Sequence, residues 1–184
     1  MPTPHDEDGG SRAQRARETA GLARFRDAQA SRRDGFESAL EEMRVGRKRG
    51  HWIWYVFPQL RGLGTSDAAR TYAIDGQLEA TAYLRDPDLR ARYLAVSQAV
   101  ADQLRAGRPL VALMGSDTDA RKLVSSLTLF GHVATALHKA EGLDAYGRVA
   151  SVADEVLTVA AAEGYLPCAY TLGHASCRCS GTAT

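Results

Sequence analysis

The sequence has few cysteines, almost no net charge and no long apolar run. Its three cysteines, Cys168, Cys177 and Cys179, all lie close to the end of the 184-residue chain, so no disulfide framework holds the main body together. Lysine and arginine total 23 against 22 aspartates and glutamates, which leaves a formal net charge of +1. A general nucleic-acid binder usually carries a clear basic excess, so this balance argues against nucleic acid as a partner.

The apolar stretches are too short for a membrane-spanning protein. None approaches the roughly 18–20 residues that a transmembrane helix needs, and the polar N-terminal segment lacks the apolar core of a secretory signal. The single His174 beside the tail cysteines matches no standard zinc spacing. We therefore expect a cytoplasmic protein with no membrane partner, no metal and no other cofactor.

Helical signals run through most of the remaining sequence. Hydrophobic residues make up 45% of the chain and aromatic residues only 7%, which is enough for a compact core. Asp34 with Glu37 three residues later has the spacing of a capping box, and Asp86 followed by Pro87 is a strong helix start. The pattern predicts a mainly α, single-domain multi-helical bundle with at most one short extended segment, at residues 52–57.

The two ends of the chain differ from its middle. Residues 1–19 combine proline, glycine and mixed charge with little apolar surface, which predicts a disordered leader. Residues 20–164 carry the helical spacing of the domain itself. Residues 165–184, which include the three cysteines, are predicted to form a loose tail.

Four short motifs occur in order within the helical domain. They are H-W-x-W-x-x-F-P-Q from His51, G-L-G-x-S from Gly62, Y-A-I from Tyr72 and K-L-x-S-S-x-T-L-F from Lys122. With these motifs, the sequence over roughly Leu22–Leu137 resembles the bacterial and fungal family known as domain of unknown function 1810 (DUF1810). The resemblance implies a compact, mainly α-helical cytoplasmic protein without an established activity.

Polar side chains in the last motif can hold an anion. On the predicted helix, Lys122 supplies a positive charge, and Ser125 and Ser126, one turn further on, can donate hydrogen bonds. The alternative is that Lys122 extends into solvent while both serines bond back to helix carbonyls. The sequence leaves both interpretations open.

The glycine-punctuated turn from Gly62 to Ser66 offers a second place for an anion. Gly62 and Gly64 allow positive φ values, and Ser66 can begin a helix whose first N–H groups point outward. A plain turn leading into a capped helix explains the same pattern.

The aromatic stretch supplies the remaining candidates. His51 has the side chain of a general acid or base, and Gln59 can orient a substrate amide. Both also fit structural hydrogen bonding. Trp52 and Trp54 can stack on a base, although such residues more often fill a core.

Together these features predict a ligand pocket between the segments His51–Ser66 and Lys122–Leu129. The hypothesis is that it binds a small anionic metabolite, such as a nucleotide or sugar phosphate. If the protein is an enzyme, the reaction is hydrolysis or glycosidic cleavage, with His51 and Lys122 as the catalytic residues. The alternative is a non-catalytic module that binds protein or RNA through the basic and aromatic stretch Arg44–Trp54.

Overall fold

A computed structural model describes residues 21–175 of the chain. In this part, the regular structure is helical apart from one isolated parallel bridge between Leu60 and Ile74, which confirms the predicted mainly α, single-domain fold. None of the helices described there is both long and apolar enough to cross a bilayer. The helices are α1 (21–29), α2 (Phe36–Val45), α3 (Ile53–Val56), α4 (Asp67–Thr71), α5 (Gly76–Arg85), α6 (Pro87–Arg105), α7 (Leu110–Met114), α8 (Asp117–Glu141), α9 (Asp144–Ala162) and α10 (Ala169–Ala175).

The longest helix, α8, lies at the centre of the fold. It packs along α9, and α5, α7 and α10 also lie against it. Every residue from Leu123 to Phe130 is buried, because neighbouring elements cover this part of the helix on all sides. The Phe130 ring centroid lies 4.9 Å from that of Tyr83 and 4.7 Å from that of Tyr93, so an aromatic cluster joins α8 to α5 and α6.

Helix α6 begins as the sequence predicts. The Asp86 carboxylate accepts a hydrogen bond of 2.8 Å from the Leu89 backbone N–H, and Pro87 occupies the first turn. Asp86 also pairs with Arg26 of α1. Partial burial tends to raise the pKa of Asp86, but the hydrogen bonds from Leu89 and Arg26 outweigh it and lower this pKa. The cap therefore also ties α1 to the start of α6.

The start of α2 differs from the prediction. Its N-cap is Gly35, without a side-chain hydrogen bond, whereas the capping-box pattern assigns that place to Asp34. The Asp34 carbonyl instead accepts a hydrogen bond of 2.6 Å from the Tyr55 hydroxyl. A Cβ atom on Gly35 would lie 2.0 Å from the Ser31 carbonyl oxygen. The tight loop between α1 and α2 therefore overrides the local capping signal.

Residues 52–57, which the sequence predicts as a possible extended segment, contain the short helix α3. The helix ends at Val56. The next residue, Phe57, has a φ of −120° and a ψ of 69°, because Pro58 disfavours the helical conformation in the residue before it. Ile53 and Val56 point into the core, while Trp54 and Tyr55 are half-buried. This helical turn therefore presents one tryptophan towards the surface.

The predicted loose tail over residues 165–184 contains a packed helix. Helix α10 lies against α8 and α5, and Thr171 on it is buried, with its Oγ1 atom 3.2 Å from Ser125 Oγ. Unlike the prediction, this part of the tail is ordered against the domain. The predicted leader over residues 1–19 and the cysteines Cys177 and Cys179 lie outside the described residues.

Candidate functional site

The two predicted segments meet where α3 packs against α8. The Lys122 ammonium lies 4.6 Å from the centroid of the Trp54 ring, over its face. Trp54 is half-buried, and the Lys122 side chain is 20% exposed. An ammonium group in this position is attracted by the negative face of the indole ring. The structure thus brings together two candidate residues that lie far apart in the sequence.

Asp119 connects Lys122 to a lysine of the basic stretch. Its Oδ1 atom accepts a hydrogen bond of 2.9 Å from Lys122 Nζ, and its Oδ2 atom lies 2.7 Å from Lys48 Nζ. The Lys48 side chain is only 7% exposed, and its ammonium also donates to the Gly50 carbonyl at 2.7 Å. The chain contains three lysines, Lys48, Lys122 and Lys139. Two of the three therefore share one carboxylate.

Both ammonium groups of this cluster bind the Asp119 carboxylate. Partial burial tends to raise the pKa of Asp119, but the hydrogen bonds and charges of Lys48 and Lys122 outweigh burial and lower it. Asp119 is therefore ionised at neutral pH and balances one of the two ammonium groups, while the Glu42 carboxylate is close enough to Lys48 for the two charges to attract each other. Because these groups are partly removed from water, the Lys122 ammonium interacts more strongly with an anion than it would in bulk solvent.

The basic stretch before the tryptophans folds around the Glu42 carboxylate. Glu42 accepts hydrogen bonds from the Arg49 N–H at 2.7 Å, the Gly50 N–H at 3.0 Å and Trp52 Nε1 at 2.8 Å. Burial tends to raise the pKa of Glu42, but these hydrogen bonds and the charge of Lys48 lower it overall. Sequence reasoning did not identify Glu42, because its partners lie beyond the end of its own helix and no local pattern links them.

The two tryptophans have different surroundings. Trp52 is fully buried, with its ring against Phe57 and the Lys48 ammonium 5.1 Å from its centroid. A Cβ atom on Gly50 would lie 2.8 Å from Trp52 Cδ1, so the loop passes this ring too closely for a larger residue. Trp52 is therefore part of the core, and Trp54 is the tryptophan with surface that a ligand can reach.

The predicted serines face buried partners. Ser126 is fully buried, and its Oγ lies 3.1 Å from the Tyr93 hydroxyl. Ser125 is also buried, and its Oγ lies 3.2 Å from Thr171 of α10. Both hydroxyls thus form hydrogen bonds with neighbouring helices rather than with carbonyls of α8. Neither hydroxyl is hydrogen-bonded to the Lys122 ammonium. Sequence spacing could not show this, because it places residues on a helix face without showing what covers that face.

The Gly62–Ser66 turn lies on the surface. Gly62 has a φ of +99°, and a Cβ atom there would lie 2.4 Å from the Tyr170 hydroxyl, which itself donates to the Arg61 carbonyl at 3.1 Å. Ser66 is the N-cap of α4 and accepts a hydrogen bond from the Ala69 N–H at 3.1 Å. Gly64 is exposed. The turn and cap have the predicted form, and an anion contact there stays a prediction.

His51 and Gln59 flank the short helix α3. His51 is exposed, and its imidazole has no hydrogen-bond partner among residues 21–175. Gln59 is half-buried; its backbone carbonyl accepts a hydrogen bond of 2.8 Å from Ile74, and its side-chain amide is likewise without a partner in the described part of the chain. Neither side chain therefore makes a hydrogen bond within the described residues that a ligand would have to break.

The family and the solved structure that resemble this chain have descriptions that state no activity. The sequence profile of the family described as "Protein of unknown function (DUF1810)" matches residues 19–155. The chain belongs to this family. The crystal structure of the conserved hypothetical protein Rv1873 from Mycobacterium tuberculosis is similar to it, with 34% sequence identity and a TM-score of 0.62 over 83% of this chain and 94% of that one. No curated protein matches the chain.

In this DUF1810 protein, the geometry suits binding of an anion beside an aromatic ring. We call Lys48, Trp54, Asp119 and Lys122 the Trp54–Lys122 site. A group of three or more histidine, cysteine, aspartate and glutamate side chains placed to hold a metal ion is absent from residues 21–175. The functional groups of the site are two ammonium groups, one carboxylate and an indole ring. His51 precedes Trp54 by three residues in the sequence.

Proposed function

We propose that the protein binds a small anionic metabolite that carries a ring, such as a nucleotide or a sugar phosphate, at the Trp54–Lys122 site. The observation that supports this most directly is the position of the Lys122 ammonium, 4.6 Å from the Trp54 ring centroid while it shares Asp119 with Lys48. Charge and aromatic surface therefore occur together at a partly exposed place.

Lys122 is suited to contact the anionic group. Its flexible stem allows the ammonium to turn from Asp119 towards a phosphate, while Lys48 stays with Asp119 in its nearly buried position. Asp119 then remains paired after the ligand arrives, which avoids the cost of a carboxylate left alone. Two lysines on one carboxylate thus allow one of them to be used for binding.

Trp54 supplies the surface for the ring of the ligand. Its indole is half-buried, which fixes the ring while leaving part of it accessible. Stacking of a base on an aromatic side chain contributes about 1–3 kcal/mol, as measured by alanine substitution. Gln59 and His51, with free polar groups on either side of α3, are the residues that we expect to orient the ligand.

If the protein is an enzyme, the proposal extends to catalysis by the two residues that the sequence suggests. His51 is the candidate acid–base group for hydrolysis or glycosidic cleavage, and Lys122 is the candidate for stabilising the charge that develops. His51→Ala should then abolish turnover of a bound compound while its affinity changes little. Binding without turnover in the wild type would leave a binding protein as the function.

A thermal-shift panel of nucleotides, ADP-ribose-like compounds and phosphosugars tests the binding proposal. A ligand at 100 times its Kd stabilises a protein by about 2.7 kcal/mol, which is roughly 5–10 °C in Tm for a domain of this size. The shift should disappear in Lys122→Met and persist in Lys139→Met, which removes an exposed lysine elsewhere on α8. The same ligand should change the fluorescence of the wild type but not of Trp54→Phe.

Two outcomes would contradict the binding proposal. One is the absence of a shift with every compound of the panel while circular dichroism shows a folded protein. The other is a shift that Lys122→Met and Lys139→Met reduce equally, because binding would then depend on net charge rather than on this site.

The exposed arginines of the basic stretch favour a second candidate function. Arg44, Arg47 and Arg49 are all exposed, on a segment that Glu42 holds in place. This surface suits a protein or RNA partner that carries negative charge. For single-stranded RNA bound through three phosphates, the logarithm of the affinity should fall with the logarithm of salt concentration with a slope of about −2. Arg47→Gln combined with Arg49→Gln should flatten that slope, and salt-independent binding would exclude this candidate.

A further inference from the structure

A groove of about 640 Å³ lies between α6 and α9. Its volume is within the roughly 300–1,000 Å³ that is typical of small-molecule sites. The two helices run in the same direction, since the Arg90 guanidinium lies 5.2 Å from the Tyr146 ring centroid at one end and Arg105 lies 2.6 Å from Glu155 at the other. None of the residues that line it belongs to the Trp54–Lys122 site.

The middle of the groove is apolar. Leu94 and Ala95 line it from α6 and Val152 lines it from α9. Leu94 and Ala95 are only half-buried, so apolar surface is left uncovered there. Gln98 and Ser151 add two uncharged polar side chains. These walls suit a hydrocarbon chain, which gains free energy in proportion to the apolar area removed from water.

The two ends of the groove differ in charge. At one end, Arg105 is neutralised because its guanidinium binds Glu155 at 2.6 Å and Asp102 at 2.8 Å. At the other end, Arg148 is exposed and has no hydrogen-bond or ion-pair partner among residues 21–175. Arg90, at the same end, donates only to backbone carbonyls. The groove is therefore apolar with positive charge at one end.

The positive end is not neutralised by the neighbouring acid. The carboxylate of Glu141 is close enough for Arg90 to lower its pKa, but the larger cause of that lowering is Arg85, which binds it at 2.6 Å. Arg90 therefore interacts with this carboxylate only at a distance, and Arg148 has no ion-pair partner in the described part of the chain. An anionic group at the end of an apolar ligand would complete this arrangement.

We infer that the groove binds a medium-chain carboxylate, with its carboxylate at Arg148 and Arg90 and its chain along Leu94, Ala95 and Val152. The part of α6 between Arg90 and Gln98 spans about 12 Å, from the rise of 1.5 Å per residue. An extended chain of roughly ten carbons has this length. Decanoate is therefore the best probe.

Titration calorimetry of the full chain with decanoate, below its micelle concentration, tests this assignment. A methylene that is buried on one side only contributes about half of the free energy of full transfer from water. Each added methylene should therefore strengthen binding about twofold. The affinity should therefore rise by about fourfold from hexanoate to octanoate and again to decanoate. Decanol, which has the same chain without the charge, should bind more weakly than decanoate by about fivefold or more.

Three variants locate the bound chain. Arg148→Gln should weaken decanoate binding about fivefold with unchanged Tm, because this side chain has no partner whose loss would destabilise the fold. Ala91→Trp, at an exposed position that lines the groove, should block it. Arg33→Gln, which removes an exposed arginine outside the groove, is the matched control and should bind as the wild type does.

Three results would overturn the inference. The first is the absence of decanoate binding by a folded wild type. The second is equal weakening by Arg148→Gln and Arg33→Gln. The third is a concentration-dependent dimer, seen in sedimentation, that Ala91→Trp abolishes, because the groove would then hold a second copy of the chain. Ala91 lines the groove, whereas Lys122 and Trp54 do not. Measuring nucleotide binding by the Ala91→Trp variant therefore tests the two sites separately.

Discussion

Replacing Asp119 with alanine removes the carboxylate that two lysines share. The Lys48 ammonium, whose side chain is only 7% exposed, would keep the Gly50 carbonyl, the Trp52 ring and the more distant charge of Glu42, but no carboxylate in direct contact. Removing one partner of a fully buried pair costs about 3–5 kcal/mol. Because Asp119 is 16% exposed, we expect a loss of about 2–3 kcal/mol in the free energy of unfolding. For a domain of this size, that corresponds to a fall of roughly 5–10 °C in Tm.

A second substitution tests whether the unpaired ammonium causes this loss. Lys48→Met in the Asp119→Ala background should restore part of the stability, because the buried charge is then removed as well. Lys122→Met in the same background should restore less, because Lys122 is more exposed, at 20%. Asp117→Ala breaks an exposed pair with Arg121 and an exposed hydrogen bond from the Tyr165 hydroxyl, and it should cost less than Asp119→Ala. Urea denaturation followed by circular dichroism measures all four variants.

The outcome that would refute this reasoning is an Asp119→Ala variant that loses no more stability than Asp117→Ala. Failure of Lys48→Met to restore any stability in the double variant would also refute it. In either case Asp119 would not be the group that holds Lys48, and the charge balance of the Trp54–Lys122 site would need another explanation.

Two further predictions concern the loop around Glu42. The lowered pKa of Glu42 means that its carboxylate stabilises the fold above the unfolded-state value of 4.5 and loses this effect as the pH falls through the lowered value. Urea denaturation should therefore show a larger difference between wild type and Glu42→Gln at about pH 7 than at about pH 3; an equal difference at both would contradict the prediction. Gly50→Ala should cost about 1–3 kcal/mol, because its Cβ atom would meet the Trp52 ring at 2.8 Å. Gly173→Ala, where a Cβ atom meets nothing within 4 Å, is the control and should leave Tm unchanged or raised, and equal losses in the two variants would disprove the close-packing argument.

Several features of the fold could be predicted because they depend on residues close together in the chain. Asp86 and Pro87 start α6, Ser66 caps α4, and Gly46 ends α2 with a φ of +88°. In each case the hydrogen bond that defines the helix end joins residues within four positions of one another. The motifs were equally informative about the family, because they are short and contiguous.

The two tryptophans show where local reasoning stops. Both lie in one stretch with the same neighbours in sequence, yet Trp52 is fully buried and Trp54 is half-buried. The helical turn of α3 and the packing of that turn against α8 decide which ring faces outward. Ser126 is a similar case, because its place on α8 is visible in the sequence while its partner Tyr93 belongs to α6.

The sequence by itself determined that the chain is a mainly α-helical member of the DUF1810 family, and it marked Lys122 and the tryptophans as candidates. Only the tertiary structure paired Lys48 with Asp119, placed Lys122 over Trp54 and opened the groove between α6 and α9. The physical reason is the range of the interactions. Helix formation and capping act over a few residues, whereas a shared carboxylate or a groove depends on how whole helices pack, which one-dimensional spacing does not specify.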